Sequence, residues 1–197
     1  MKLILFILSL LSFQITLNAQ EFTTYTWENG KTKAEGRLVQ GGIEEGEWNY
    51  YNQEGILIQK VNYSFGTIDG IYEHYFDNGK LSEKGSFRNA KRDGSFQTYF
   101  ENGKPAMTGF YNNGYKDSVW TSFHENGTKE YEGTYNTDVR INDWKYWYAN
   151  GQLKKIVNYN EGERVLTFSN SAGKILVKDG EGKWSEYFDT KKVKAIG

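Results

Sequence analysis

Residues 70–81 read GIYEHYFDNGKL, and residues 94–105, 24 positions later, read GSFQTYFENGKP. In both stretches an alternating run rich in aromatic residues leads into Asn-Gly, the strongest short-range signal for a β-hairpin. The same dipeptide, or Glu-Gly in its place, recurs every 24 or 25 residues, at Asn29-Gly30, Glu54-Gly55, Asn78-Gly79, Asn102-Gly103, Asn126-Gly127 and Asn150-Gly151. The sequence therefore predicts tandem β-hairpins.

Three rows of aromatic residues share this period. The first is Trp48, Tyr72, Phe96, Trp120, Trp144 and Phe168; the second is Tyr51, Tyr75, Tyr99, Phe123 and Trp147; the third is Tyr63, Phe87, Tyr111, Tyr135 and Tyr159. Aromatic residues are only 17% of the chain, so three rows in register do not arise by chance. Such a period is typical of repeat proteins, in which each unit stacks on its neighbours.

The hairpin around Asn78-Gly79 shows the expected geometry of one repeat. We expect strands at 70–77 and 80–87, a two-residue type I′ turn at 78–79 and a connecting loop at 88–93. A turn of that length fixes which residues face each other. The expected pairs are Tyr72 with Gly85, Phe96 with Gly109, Trp120 with Gly133, and Trp144 with Val157. An aromatic ring that lies across a strand glycine covers exposed backbone, so each of these glycines is expected to lie beneath its partner's ring.

Side chains of a strand point alternately to the two faces of the sheet, so this hairpin also predicts two faces. On the first, here the Tyr72 face, we expect Tyr72, Phe76, Leu81 and Phe87, and in later repeats Trp120, Tyr131, Tyr135, Trp144, Tyr148, Leu153 and Tyr159. On the second, the Tyr75 face, we expect Glu73, Tyr75, Lys80, Ser82 and Lys84. The Tyr72 face is predicted to be the core, and the Tyr75 face to be polar with a single aromatic row.

The composition agrees with an all-β protein that has many turns. The chain has 22 glycines, one proline and no cysteine. A high glycine content is typical of a chain with many turns, and without cysteine no disulfide can stabilise the fold. The predicted fold class is all-β, an elongated single antiparallel sheet of about thirteen strands in which contacts join nearest neighbours. The last repeat is predicted to be incomplete, with a shortened hairpin after Phe168 and a restart of the repeat at Tyr187-Phe188-Asp189.

The N-terminus has the features of a cleavable signal peptide. Lys2 supplies the positive charge, the stretch 3–11 is almost wholly apolar, and Ala19 is the small residue before the expected cut. The apolar stretch is too short for a transmembrane helix, which needs about 20 residues. We expect a signal peptide at 1–19, a repeat domain at 20–197, and a secreted or periplasmic protein without a transmembrane segment.

The residues offer little to catalysis. Covalent chemistry by cysteine is excluded, and the two histidines, His74 and His124, lie two repeats apart, about 19 Å in a sheet. One zinc ion cannot bridge that distance. Acidic pairs such as Glu44 with Glu45 are common on solvated loops and seldom form a glycosidase pair. The prediction is a protein that is not an enzyme, with no metal site and no cofactor.

The net charge and the spacing of the aromatic residues indicate which class of partner to expect. The formal net charge is −1 at pH 7, which disfavours nucleic acid and anionic lipid. The row Tyr51, Tyr75, Tyr99, Phe123 and Trp147 recurs every second strand, so its rings are expected about 9.6 Å apart on the Tyr75 face. Evenly spaced rings can stack on sugars or bind an extended peptide, and this row is the predicted ligand-binding site. The alternative is that the rings only brace a thin sheet.

The run GIYEHYFDNGKL at 70–81 and the run YFENGK at 99–104 resemble the bacterial variant of the MORN repeat, over roughly residues 25 to 190. The resemblance implies an interaction or membrane-tethering module and, through related proteins, an antitoxin-like role. The runs GEWNYY at 46–51 and WKYWY at 144–148 also resemble choline-binding cell-wall repeats. We therefore expect an exported scaffold that binds a protein partner. The alternatives are a carbohydrate or cell-wall binding module that contacts a cell-surface glycan, and an antitoxin-like inhibitor.

Overall fold

The structure, a computed structural model, describes residues 20–180 and, beyond them, the backbone of two short strands. The main sheet contains β1 (Glu21–Thr26), β2 (Thr32–Val39), β3 (Ile43–Tyr51), β4 (Leu57–Ser64), β5 (Thr67–Tyr75), β6 (Leu81–Arg88), β7 (Lys91–Arg92), β8 (Gly94–Tyr99), β9 (Pro105–Asn112), β10 (Tyr115–Phe123), β11 (Lys129–Asn136), β12 (Val139–Trp147), β13 (Leu153–Asn158), β14 (Arg164–Ser169) and β15 (Ile175–Lys178). A separate antiparallel pair follows, β16 (Ser185–Tyr187) and β17 (Val193–Ala195).

The strands of the main sheet lie side by side in chain order, and every pair in it is antiparallel. The short strand β7 pairs with β6 and is separated from β8 by Asp93 alone. The predicted fold class, a single antiparallel sheet of tandem hairpins, is confirmed. The main sheet has fifteen strands instead of the expected thirteen.

The predicted pairing is confirmed. Tyr72 pairs with Gly85, Phe96 with Gly109, Trp120 with Gly133, and Trp144 with Val157. The shortened hairpin predicted after Phe168 is formed by β14 and β15. The predicted signal peptide at 1–19 lies outside the described residues, as do Phe188 and Asp189 of the restarted repeat, so those expectations remain predictions.

The turn at Asn78-Gly79 is not the predicted type I′ turn. The amide of Gly79 donates to the carbonyl of Phe76 at 2.8 Å, and the amide of Phe76 donates to the carbonyl of Lys80 at 2.8 Å. Gly79 has a φ of +77°, whereas Asn78 keeps a negative φ. The loop therefore has three residues, a type I turn followed by a left-handed glycine.

A β-bulge next to this turn restores the predicted register. Tyr75 pairs with Leu81, but His74 pairs with Glu83, so Ser82 is the additional residue. The extra residue in the turn and the extra residue in the strand cancel over the rest of the hairpin. Between the turn and the bulge only the extra turn residue counts, so Leu81 lies on the Tyr75 face, as does its partner Tyr75.

The same correction applies to Leu153, which pairs with Trp147. The predicted placement of Leu81 and Leu153 on the Tyr72 face was therefore wrong, because alternation was counted without the bulge.

The type I′ turns lie instead between the repeats, where a loop at 88–93 was expected. Asn89 and Ala90 have φ values of +48° and +61°, and Arg88 pairs with Lys91 across them. Paired positive φ values recur at the equivalent positions, in Phe65-Gly66, Asn113-Gly114 and Thr137-Asp138. The repeats thus follow one another through tight turns, without a connecting loop.

The regular spacing of the Asn-Gly turns has a packing reason. Asn126 accepts a hydrogen bond from the amide of Thr128 at 3.0 Å, and its side-chain amide donates to the carbonyl of Ala149 in the next turn at 2.6 Å. Asn29, Asn102 and Asn150 donate to the following turn in the same way. The regular spacing places these four asparagines beside the next turn, and at Asn78 the neighbouring Lys80 makes the link by donating to the carbonyl of Glu101 at 2.9 Å.

Candidate interaction surface

The Tyr72 face is a packed layer of rings. Trp48, Trp120 and Trp144 are fully buried, and Phe96 and Phe168 are nearly so. Rings of the third row pack edge-on between them, with the Trp120 centroid 5.1 Å from that of Tyr111 and 6.0 Å from that of Tyr135. The predicted core is confirmed.

Each tryptophan of this layer lies over a glycine, though not the one predicted. The indole of Trp144 covers Gly133, that of Trp120 covers Gly109, and that of Trp48 covers Gly36. A Cβ atom added at any of these glycines would overlap the ring. Trp120 pairs with Gly133 in register, but its ring leans toward the strand on its other side. We predicted that the ring above a glycine comes from the same hairpin. That prediction was wrong, because the ring comes from the following hairpin.

Cationic side chains cover the outer surface of this layer. The Lys116 Nζ atom lies 4.5 Å from the Trp120 ring centre, and the Arg140 guanidinium carbon lies 4.6 Å from that of Trp144. Arg92 lies 4.8 Å above Phe96 in the equivalent position. These contacts combine cation–π attraction with the covering of apolar surface by the aliphatic stems. They leave the Tyr72 face closed by its own side chains.

The predicted ligand row lies on the Tyr75 face, as expected, and in register. Its members Tyr51, Tyr75, Tyr99, Phe123 and Trp147 are all half-buried, and their partners across each hairpin are Leu57, Leu81, Pro105, Lys129 and Leu153. A contact between this row and a ligand stays a prediction.

The tyrosine hydroxyls of the row have partners within the sheet. Tyr51 donates to Glu35 at 2.6 Å, Tyr75 to Glu73 at 2.6 Å, and Tyr99 to Gln97 at 2.7 Å. Burial, with the hydrogen bond to Glu35, raises the pKa of Tyr51 to about 12, and burial with the bond to Glu73 raises the pKa of Tyr75 as well. The Tyr51 and Tyr75 hydroxyls therefore stay protonated at physiological pH and donate to the carboxylates of Glu35 and Glu73.

The exposed apolar side chains of the Tyr75 face were not singled out from the sequence. They are Phe22, Ile43, Ile71, Phe110, Tyr115, Val119, Val139 and Ile175, with Phe65 at the rim, whereas exposed Tyr25 lies on the Tyr72 face. Val119 is 55% exposed although its chain neighbour Trp120 is completely buried. The signal was available, because Ile43, Tyr115 and Val139 occupy one position of the 24-residue period.

The two histidines make ordinary local contacts. His74 Nδ1 lies 3.3 Å from the Ser82 hydroxyl, and His124 Nε2 lies 3.1 Å from the carbonyl of Trp147. Within residues 20–180, His, Asp and Glu side chains form no group of three or more that could hold a metal ion. No helix in the described part of the chain is long and apolar enough to cross a membrane.

Comparison with known proteins adds a family. The MORN repeat variant matches residues 44–64, 68–89, 92–113, 116–137 and 141–161, which together make up more than half of the chain. The segment at 68–89 runs from one type I′ turn to the next, with an Asn-Gly turn at its centre. No curated protein matches the chain.

Among solved structures, a mutant of S. aureus TarM in complex with fondaparinux, α-GlcNAc-glycerol and UDP is similar over 49% of this chain, at 18% identity and a TM-score of 0.33. The chain covers 19% of that structure, and a likeness this weak carries no argument about function.

Proposed function

The chain belongs to the MORN repeat variant family, and from that premise we propose that it is an exported, non-catalytic scaffold that binds a protein partner on the Tyr75 face. MORN repeats in general are interaction modules. Export rests on the N-terminal stretch at 1–19, whose positive start, apolar run and Ala19 have the form of a signal peptide.

The observation that supports protein binding is the unequal exposure of the two faces. Large apolar side chains on the Tyr72 face are mostly buried in stacked rings, whereas Ile71, Val119 and Val139 on the Tyr75 face are each more than half exposed. Exposed apolar residues gathered on one face, among polar residues, are typical of a surface that another macromolecule covers. Their loss of contact with water on binding supplies the driving force.

The test is affinity capture from a cell-envelope extract with the mature chain as bait. The double variant Val119→Ser/Val139→Ser should lose most of the captured protein, because it removes apolar contacts without altering the ring layer. His74→Ser, which changes an exposed residue of the Tyr72 face, should capture the same protein as the wild type. Equal capture by both variants would contradict the assignment of the face.

A carbohydrate or cell-wall ligand is the second candidate, favoured by the ring row Tyr51 to Trp147 on the same face. Capture that returns glycan and no protein above background would replace the first proposal with this one. An antitoxin-like role is a special case of protein binding in which the captured partner is a toxin. Export itself is tested by N-terminal sequencing of the protein in the culture medium or periplasmic fraction, where we expect Gln20 to be the first residue.

A further inference from the structure

A cavity of about 500 Å³ lies at the edge of the sheet that carries the Asn-Gly turns. It is formed by the ends of β1 and β2 and by the first two turns of that edge, and its lining residues are Thr26, Trp27, Glu28, Asn29, Lys33 and Gln53. None of them belongs to the exposed apolar side chains of the Tyr75 face or to its ring row. The volume is within the range of small-molecule sites, about 300 to 1,000 Å³. The cavity is therefore a candidate ligand site with side chains of its own.

The walls of this cavity are held by hydrogen bonds between the two turns. The Asn29 side-chain amide donates to the carbonyl of Gln53 at 2.9 Å, and the Lys31 ammonium donates to the carbonyl of Glu54 at 2.8 Å. The loop that carries Trp27 is closed by its own amide, which donates to the carbonyl of Lys31 at 2.8 Å. A ligand therefore meets backbone that is already ordered, and binding does not have to supply that ordering.

Trp27 supplies the aromatic wall of the cavity. Its indole Nε1 donates to the carbonyl of Tyr51 at 3.1 Å, which fixes the orientation of the ring. Trp48, Trp120 and Trp144 pack against other rings, whereas in residues 20–180 no ring stacks on Trp27. Trp27 is half-buried and lines the cavity. The fold thus holds this indole in place and leaves part of its surface to a ligand.

The polar groups of the cavity include both donors and acceptors. Glu28 supplies a carboxylate, Gln53 a carboxamide and Thr26 a hydroxyl, and none of these side chains has a hydrogen-bond or ion-pair partner within 20–180. The Lys33 Nζ atom lies 4.8 Å from the Trp27 ring centre. Any simple ion would meet one group of like charge, and a wholly apolar ligand would leave the polar groups without partners. The lining therefore suits a neutral ligand that donates and accepts hydrogen bonds and has an apolar face.

We propose that this cavity binds a sugar residue, with its C–H groups against Trp27 and its hydroxyls bonded to Glu28 and Gln53. A pyranose ring combines an apolar face of C–H groups with hydroxyls that both donate and accept, which matches an indole among carboxylate, carboxamide and ammonium groups. The site is separate from the row Tyr51 to Trp147 and goes beyond the protein binding proposed above. Quaternary ammonium ligands also pack on tryptophan, but here the Lys33 ammonium already lies over the ring.

The experiment is titration of the isotope-labelled mature chain with glucose, N-acetylglucosamine, mannose and galactose, followed by NMR of the indole N–H groups. The Trp27 resonance is identified by its absence from the spectrum of Trp27→Phe. At ligand efficiencies ordinary for small ligands, a monosaccharide should bind with a Kd of about 1 to 10 mM. We expect at least one of the four sugars to shift the Trp27 resonance saturably in that range.

Matched variants locate the site by calorimetry with the sugar that binds. Trp27→Ala should weaken binding roughly tenfold or more, because it removes the stacking surface. Gln53→Ala should weaken it by about two- to tenfold, the range for one lost hydrogen bond, and should leave the melting temperature unchanged because the side chain is exposed. This second variant keeps the test decisive if Trp27→Ala is less stable. Phe100→Ala removes the aromatic residue at the same turn position of a later repeat and should bind the sugar normally.

Three results would overturn the inference. The first is a Trp27 resonance that none of the four sugars shifts. The second is an equal shift with choline, acetate or glycine, which would assign the cavity to a charged or zwitterionic ligand. The third is sugar binding that Trp27→Ala and Gln53→Ala retain and Tyr75→Ser/Tyr99→Ser loses, because the sugar would then lie on the ring row. Val119→Ser/Val139→Ser should bind the sugar normally, so failure of this inference is distinguishable from failure of the proposed function.

Discussion

Trp120 and Val119 are neighbours in one strand, yet Trp120 has no exposed surface and Val119 is 55% exposed. The same strand supplies a closed face and an open one, because alternate residues meet different surroundings. On the Tyr72 face, rings pack on rings from adjacent strands and over backbone glycines, so the side chains of residues 20–180 form a core within one layer. On the Tyr75 face of the described sheet, large apolar side chains such as Ile71 and Val119 remain more than half exposed. The packing that stabilises the sheet and the apolar surface proposed to bind a partner thus lie on opposite faces of the same strands.

The largest expected effect is that of Trp120→Ala. Removing this buried indole should lower the free energy of unfolding by about 3 to 5 kcal/mol, because it takes contacts from Tyr111, Tyr135 and Lys116 and uncovers Gly109. The matched variant Val119→Ser should change it by less than about 0.5 kcal/mol. Both are measured by urea denaturation. Similar losses at the two positions would break the division between the faces.

A smaller effect tests how the rings sit on the backbone. Gly133→Ala should cost about 1 to 3 kcal/mol, because the new methyl group would overlap the Trp144 ring and force it out of place. Gly85 has the same position in its repeat, but a Cβ there would lie 3.5 Å from Phe96 Cδ2, an ordinary contact. Gly85→Ala should therefore change stability by less than about 1 kcal/mol. Thermal melts of the two variants give the comparison, and equal losses would mean that the ring above the glycine does not decide the cost.

The period and the register were predictable because they depend on many residues at once. Aromatic rows and Asn-Gly turns agree on the same 24-residue spacing, so an error at one position does not change the outcome. The alternation around Trp120 also identified the buried face. These features are collective, and the sequence carries them redundantly.

The Asn-Gly turns lie where they were predicted, but their type was wrong, because Asn-Gly suits both kinds of hairpin loop. A two-residue turn without a bulge and a three-residue turn with a bulge give the same pairing over most of the hairpin. The true type I′ turns range from Asn113-Gly114, which has the expected dipeptide, to Asn89-Ala90 and Thr137-Asp138, so no single dipeptide marks these turns in every repeat. The predicted register was confirmed, although the type I′ turn from which it was derived is absent at Asn78-Gly79.

Strand pairing alone could not show which aromatic residue covers each glycine. Gly133 lies between Trp120 on one neighbouring strand and Trp144 on the other, and pairing within the hairpin named only Trp120. Which ring leans over the glycine depends on side-chain rotamers, which the register leaves open. The exposed residues Ile71 and Val119 were missed for a related reason: single apolar residues in an alternating strand do not reveal whether a neighbour covers them.

The smallest predicted effect lies on the Tyr75 face and depends on pH. The hydrogen bond from the Tyr75 hydroxyl, and that from Lys84 at 2.9 Å, lower the pKa of Glu73 below its ordinary value. A carboxyl whose pKa is lowered by folding stabilises the native state above its unfolded pKa, near 4.3, and this contribution is lost as the pH falls through the lowered value. Glu73→Gln should thus be less stable than the wild type at neutral pH, by under about 1 kcal/mol for so accessible a pair. The difference should disappear in acid, when Glu73 is protonated.

Tyr75→Phe should show part of the same loss, since it removes one of the two donors and keeps the ring. A difference between wild type and Glu73→Gln that persists unchanged into acid would mean that the carboxylate charge is not what these contacts stabilise.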